Sequence, residues 1–587
     1  MRITSFFAIL LVVGMLNVPS MAQQTRKTAP PNQARLEKMA ARFAPTPLRV
    51  DTSKLSDGDR QALVKLIDAA RILNEIFLKQ YWSGDTALYA KLQKDKTPLG
   101  KARLHYFWMN KGPWSALDGD NAFLPGVPEK KLPGANFYPE DMTKEEFEHW
   151  VASLSDKDQE QAKSFFTVIH RTDKTLQTTP YSEEYKDELT RAAGLLHEAA
   201  ALTDNESLKK FLSSRADAFL SNDYYESDMA WMDLDAPLDI TIGPYETYND
   251  EFFGYKAAFE AYINLRDDEE STKLSAFTQH LQEIEDNLPI DPQYRNPKLG
   301  AAAPIRVVDE IISSGDGAHG VQTAAYNLPN DDRVVQQKGS KRVMLKNVQE
   351  AKFRSVLLPI ARRTLSKQAM VDVSFELFFT HILAHELMHG LGPHQIKVNG
   401  RDTTPREELK GLYSAIEESK ADVTGLFALQ YMMDHAKEMG LTKVLPSDDA
   451  AQRQLYTTYL ASSFRTLRFG LNDAHGKGMA IQFNYLSDKG AIVAEKDGTF
   501  SIDMTKIKQA VADLDHDLLT LEALGDYDGA KKMLDELGVM RPALSQAFAR
   551  LEGIPTDIEP IFVTAEELSP TGKSSAAPVA RSRRKKR

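Results

Sequence analysis

Residues Phe375 to His394 read FELFFTHILAHELMHGLGPH, and this stretch constrains the chain more tightly than any other. Phe375, Leu377, Phe378, Ile382, Leu383 and Leu387 predict a helix largely buried in a core. Within it, His385-Glu386-Leu387-Met388-His389 has the spacing H-E-x-x-H. Positions four apart on a helix lie one above the other, so both imidazoles can turn toward one ion. Glu386 projects nearby, where a general base can take a proton from an activated water. Gly390, Gly392 and Pro393 then end the helix. His381 lies one turn back on the same face. The outer two members of a three-histidine ladder are more than a helical pitch apart, so His381 reads as a core or supporting residue.

A mononuclear zinc site of this kind needs a third protein ligand. One arrangement takes a His ten residues after the first. That position is Gln395 here, and His394 misses it by one. The other takes a carboxylate from a second helix, which the segment Ser414-Ala-Ile-Glu417-Glu418-Ser-Lys-Ala-Asp422 supplies. Glu418 and Asp422 are four apart and face the same way. One can ligate the metal while the other accepts an N–H from a ligand histidine. Glu417 competes with Glu418 as ligand, but its own neighbour four residues on is Ala421. Histidine and carboxylate donors suit zinc without excluding other divalent ions.

The rest of the chain frames this site. At 587 residues it is too long for one hydrophobic core. A net charge of −11 argues against a nucleic-acid partner. Met1-Arg2, the apolar run from Phe6 to Val18 and Ser20-Met21-Ala22 read as a signal peptide over residues 1–22, with a retained anchor as the alternative. The mature chain carries no transmembrane segment, so the reading is an exported protein, periplasmic or secreted. The absence of cysteine is compatible with an oxidising compartment. Residues 23–45 read as a flexible leader. Leu63 to Phe77 repeats at helical steps, Leu238, Ile240 and Ile242 alternate as a half-buried strand would, and Ser313 to Asp332 is rich in loop formers. Val343 and Leu345 suggest another short strand. The segment 569–587, ending RSRRKKR, reads as a disordered basic tail.

Taken together, HELMH and EESKAD resemble the zinc motifs of the dipeptidyl peptidase III family. TIGPYETYND followed by GYKAAFEAY, GDGAHGVQTAAYNLPNDDRV and NDAHGKG resemble three further segments of that family, in family order, over roughly residues 230 to 490. The domain also occurs in plant proteins fused to a Nudix domain, but no Nudix box is visible here. The resemblance implies one zinc ion per chain held by His385, His389 and Glu418, with Glu386 as base and Asp422 supporting a ligand. It implies that His475 stabilises the oxyanion and that Asn327, Asn330 and Asp239 hold the amino end of a short peptide. The chain after His475 is shorter than in typical members of the family, and the sequence departs from it in three further places. The histidines are one residue closer, Thr241 stands where a tyrosine donor is expected, and Met479 replaces an arginine. Tyr245 or Tyr248 is then the candidate replacement for the missing donor.

The implied fold is α+β and mostly helical, with two lobes flanking a cleft. A mixed lobe with a small β-barrel would take residues 46–260 and 305–355. A helical zinc-binding lobe would take 261–304 and 356–555. The expected function is zinc-dependent hydrolysis of short peptides, releasing dipeptides from the N-terminus. A zinc hydrolase of another amide or longer peptide, and a non-catalytic peptide-binding protein on the same fold, are the rival readings.

Overall fold

The computed structural model describes residues 30–173, 175–300 and 304–570. The segment 1–22 expected as a signal peptide and residues 571–587 of the expected basic tail lie outside them. Helix α1 (Gln33–Ala40) starts at Asn32, whose side chain accepts from the Arg35 amide, and it buries Leu36 completely. Strand β1 (Phe43–Leu48) follows. The stretch expected as a flexible leader is therefore, from Gln33 on, regular structure. Its polar composition hid the single leucine and Phe43, which share a small core with Tyr106 and Phe107.

Helix α2 (Asp57–Tyr81) is capped by Ser56 and buries Leu63, Leu66, Ile67, Ala70, Leu73, Ile76 and Phe77, the positions its periodicity marks. Helices α3 (Lys186–Leu202) and α4 (Glu206–Ser221) pack beside it in succession. Next come five strands of one sheet: β2 (Leu238–Glu246), β3 (Ala258–Arg266), β4 (Ile305–Gly315), β5 (Ala325–Leu328) and β6 (Lys341–Leu345). Their order is β2-β3-β4-β6-β5. All neighbours are antiparallel except β4 and β6.

The sheet curls into a half-barrel and does not close into the expected barrel. Among the described residues no ladder joins β5 to β2, although the Tyr326 hydroxyl on β5 lies 2.9 Å from Thr241 Oγ1 on β2. This curl explains why β2 is buried along nearly its whole length and not on alternate residues. One face meets the helices and the other the interior of the curl. The presumed loop at 313–332 likewise contains the end of β4 and all of β5.

The remaining chain is mostly helical. Helix α5 (Phe375–Met388) packs on α6 (Tyr413–Asp434) and α7 (Asp449–Thr466). Helix α6 also packs on α8 (Ala474–Asp488) and α9 (Ile507–Leu524). Strand β7 (Asp557–Phe562) returns to pair in parallel with β1. The whole is a mostly helical α+β protein.

Two large apolar cores result. One collects α2–α4 and most of the sheet, and the other collects α5–α9. Strand β6 is shared between them. Val343 and Leu345 enter the first core and Met344 enters the second, because successive side chains of a strand leave opposite faces.

Candidate metal centre

Ser374 caps α5, accepting from the Leu377 amide, and Leu377, Phe378, Leu383 and Leu387 anchor the helix in the second core. That fixed attachment leaves His385, Glu386 and His389 half-buried on another side. The two imidazoles are nearly perpendicular, and their Nε2 atoms stand 3.2 Å apart. Each ring is held from behind. His385 Nδ1 is 2.8 Å from Asp422 Oδ1, and His389 Nδ1 is 2.7 Å from Glu417 Oε1. A carboxylate can only accept, so each Nδ1 carries the proton and each Nε2 presents a lone pair.

Glu418 Oε2 completes the group at 3.4 Å from His385 Nε2 and 3.8 Å from His389 Nε2. That oxygen is buried and has no hydrogen-bond partner. Two facing lone pairs and an unpartnered buried carboxylate oxygen repel one another unless a cation lies between them. The donor set, two imidazoles and one carboxylate, is one that zinc accepts. The residues therefore fit the metal that their spacing suggests.

The local fields follow the same pattern. Burial disfavours a charged His385 ring, while Asp422 and Glu418 favour positive charge at that spot, the charge a metal at Nε2 would bring. Burial works to raise Asp422, but His385 and a hydrogen bond from Gln482 pull it far below the usual carboxylate range. Glu417 is also held low against burial, chiefly by the Lys420 ammonium and by His389. Lys420 is fully buried. Its Nζ lies 3.0 Å from Glu417 and donates to the carbonyls of Met388 and Leu391 at 3.1 Å each. His381 is buried, and its Nε2 contacts the Asp422 carbonyl at 3.1 Å, a supporting position.

His475, in the first turn of α8, brings Nε2 to 3.3 Å from Glu418 Oε2. Asp473 on its other side raises its pKa, against the effect of burial. Among the candidate residues, His385, Glu386, His389, Glu418, Asp422 and His475 thus gather at one place. Asn327, Asn330 and Asp239 lie on or beside the sheet. Asn327 is exposed on β5, and Asn330 donates to the Tyr245 carbonyl at 2.6 Å. Asp239 is 2 % exposed, with one oxygen unpartnered.

Tyr245 does not serve as the replacement donor. Its hydroxyl donates to Asp228 at 3.2 Å inside a buried pair with Arg215, which the irregular register between Pro244 and Glu246 allows it to reach. Thr241 is completely buried, with its hydroxyl between Trp231 and Tyr326. Glu417, weighed only as a ligand, is instead the hydrogen-bond partner of His389. Two adjacent glutamates point about a quarter-turn apart on a helix, so the pair itself was the signal.

A helix bearing H-E-x-x-H, a second helix presenting a carboxylate, and a free base beside them define a metallohydrolase centre. Residues 129–401 match Peptidase family M49. The chain is 43% identical to Nudix hydrolase 3 of Arabidopsis thaliana over 91% of this chain and 74% of that protein. The structure of dipeptidyl-peptidase III from Corallococcus sp. strain EGB is 53% identical, with a TM-score of 0.78, over 92% of this chain and 98% of that one. That of DPP III from Caldithrix abyssi is 47% identical, with a TM-score of 0.87, over 91% and 100%. The chain belongs to Peptidase family M49.

Proposed function

We propose that this chain is a zinc-dependent dipeptidyl peptidase that removes dipeptides from the amino end of short peptides, which lie in a cleft between the half-barrel and the helical core. The convergence of His385, His389 and the unpartnered Glu418 carboxylate carries the reading, together with the likeness to two dipeptidyl-peptidase III structures. His385, His389 and Glu418 would hold the zinc, which when bound lowers the pKa of a water and polarises the scissile carbonyl. Glu386 takes the proton of the attacking water and passes it to the leaving amine. His475 donates to the oxygen on which negative charge develops. Asp422 and Glu417 keep both ligand rings in the tautomer that offers Nε2. Asn327, Asn330 and Asp239 hold the free amine and so set the cut after the second residue. The reading of residues 1–22 as a signal peptide supports action outside the cytoplasm.

Mass spectrometry of products from a library of short peptides tests this. Two-residue losses from the amino end, absent with Glu386→Gln at equal zinc content, are expected. Cleavage at internal bonds only would overturn the dipeptidyl reading.

A further inference from the structure

Arg342 lies in β6 directly opposite Asn327 of β5 in an antiparallel ladder. Directly opposed residues project their side chains from the same face of a sheet. Which face is settled by the neighbours. Lys341 places its ammonium over Trp231 and donates to the Trp231 carbonyl, and Val343 enters the half-barrel core. Met344, two residues from Arg342 and so on its side, enters the core that contains α5. Arg342 and Asn327 therefore both project from the face of the sheet turned toward the helical core that contains α5.

The Arg342 side chain is half-buried. Its Nε is buried without a hydrogen bond, and among the described residues it makes no ion pair. Burial depresses its pKa, and the charge that opposes this is Glu386, which places the general base within its field. A guanidinium offers five N–H donors in a planar fork that fits a carboxylate edge-on. The buried, unpartnered Nε carries a desolvation cost that an anion bound beside Asn327 recovers.

We infer that Arg342 is a specificity residue that receives the carboxylate side chain of an acidic residue in the leading dipeptide, between the amine-holding strand at Asn327 and the base Glu386. This rests on the peptidase reading above and adds the chemical class of peptide preferred.

The test uses the zinc-loaded full chain and pairs of tetrapeptides that differ only by Glu against Gln at position one or position two. The quantity read is the ratio of kcat/KM within each pair, so a general loss of folding or zinc cancels. Charge-assisted pairing is worth roughly 1.5–3 kcal/mol, so the native protein should favour Glu by about tenfold or more at one position. Arg342→Gln should bring that ratio close to one, and Arg342→Lys should retain part of it. A native ratio near one, or a ratio that Arg342→Gln leaves unaltered, overturns the assignment. Failure of the native protein to release dipeptides from any of the peptides, Glu or Gln, would instead sink the underlying peptidase reading, a separate and recognisable result.

Discussion

Asp422 and Glu417 act on the two histidines from behind, and the chemistry at the front depends on them. Glu417 is buried and Asp422 half-buried, each accepts from an Nδ1–H, and each is held ionised by the groups around it: Lys420 and His389 for Glu417, His385 and Gln482 for Asp422. Replacing Asp422 by Asn keeps the size but can present an amide N–H where an acceptor is needed, and the His385 ring then loses its fixed tautomer. Zinc affinity measured by competition with a chromophoric chelator should fall about 10- to 100-fold for Asp422→Asn, and similarly for Glu417→Gln. His475 should behave differently, because it touches the Glu418 oxygen without holding a ring. His475→Ala is expected to lower kcat by about 10²- to 10³-fold, the range for loss of one oxyanion donor, with zinc content unchanged. Loss of zinc in that variant would make His475 part of the ligand set.

At the scale of elements, the site depends on how α6 meets the end of α5. Lys420 of α6 directs its donors to Glu417 and to the carbonyls of Met388, the last residue of α5, and of Leu391 in the turn that follows it. Lys420→Met removes the cation and strands a buried carboxylate with two carbonyls. Breaking a buried pair in this way costs about 3–5 kcal/mol. The variant should unfold at clearly lower denaturant even when zinc is supplied, and an unchanged midpoint would refute the tie between the helices. What sequence revealed divides along the same line. His385, Glu386 and His389 lie on one helix, and Glu418 and Asp422 on another, so fixed helical spacing exposes each set. The role of Glu417 depends on the rotation of α6 against α5, which no spacing encodes. The capture of Tyr245 needed Arg215 and Asp228 from an earlier part of the chain. Arg342 was missed because KRVML reads simply as a strand, and only the division of β6 between two cores shows which way the side chain points. The short helix α1 was missed because its one buried leucine leaves a mostly polar sequence.

At the scale of the whole molecule, the buried charges distant from the site govern how stability responds to pH. Asp85 starts a helix in the half of the protein that holds α2, is completely buried, and has neither carboxylate oxygen hydrogen-bonded. Burial pushes its pKa up to about 9 from the ordinary 3.8. Between those values the folded state keeps a proton that the unfolded chain releases, so its contribution to stability is present below about pH 4 and is progressively lost as pH rises toward 9. Asp85→Asn has no proton to lose. The denaturation midpoint of Asp85→Asn should therefore gain on that of the native protein as pH is raised from 5 to 9, and parallel curves would show that Asp85 does not titrate in this way. The metal centre makes an opposite contribution that is independent of this one. Three groups that repel one another without a cation are held together by α5 and α6, so zinc binds the folded chain and not the unfolded one. At free zinc about a hundredfold above the dissociation constant this linkage is worth about 2.7 kcal/mol. Stripping the metal with a chelator should lower the unfolding temperature, and added zinc should restore it. In His389→Ala the same treatment should produce a much smaller shift, because the ligand set is already broken. An equal shift in both proteins would mean that the ion acts elsewhere in the chain.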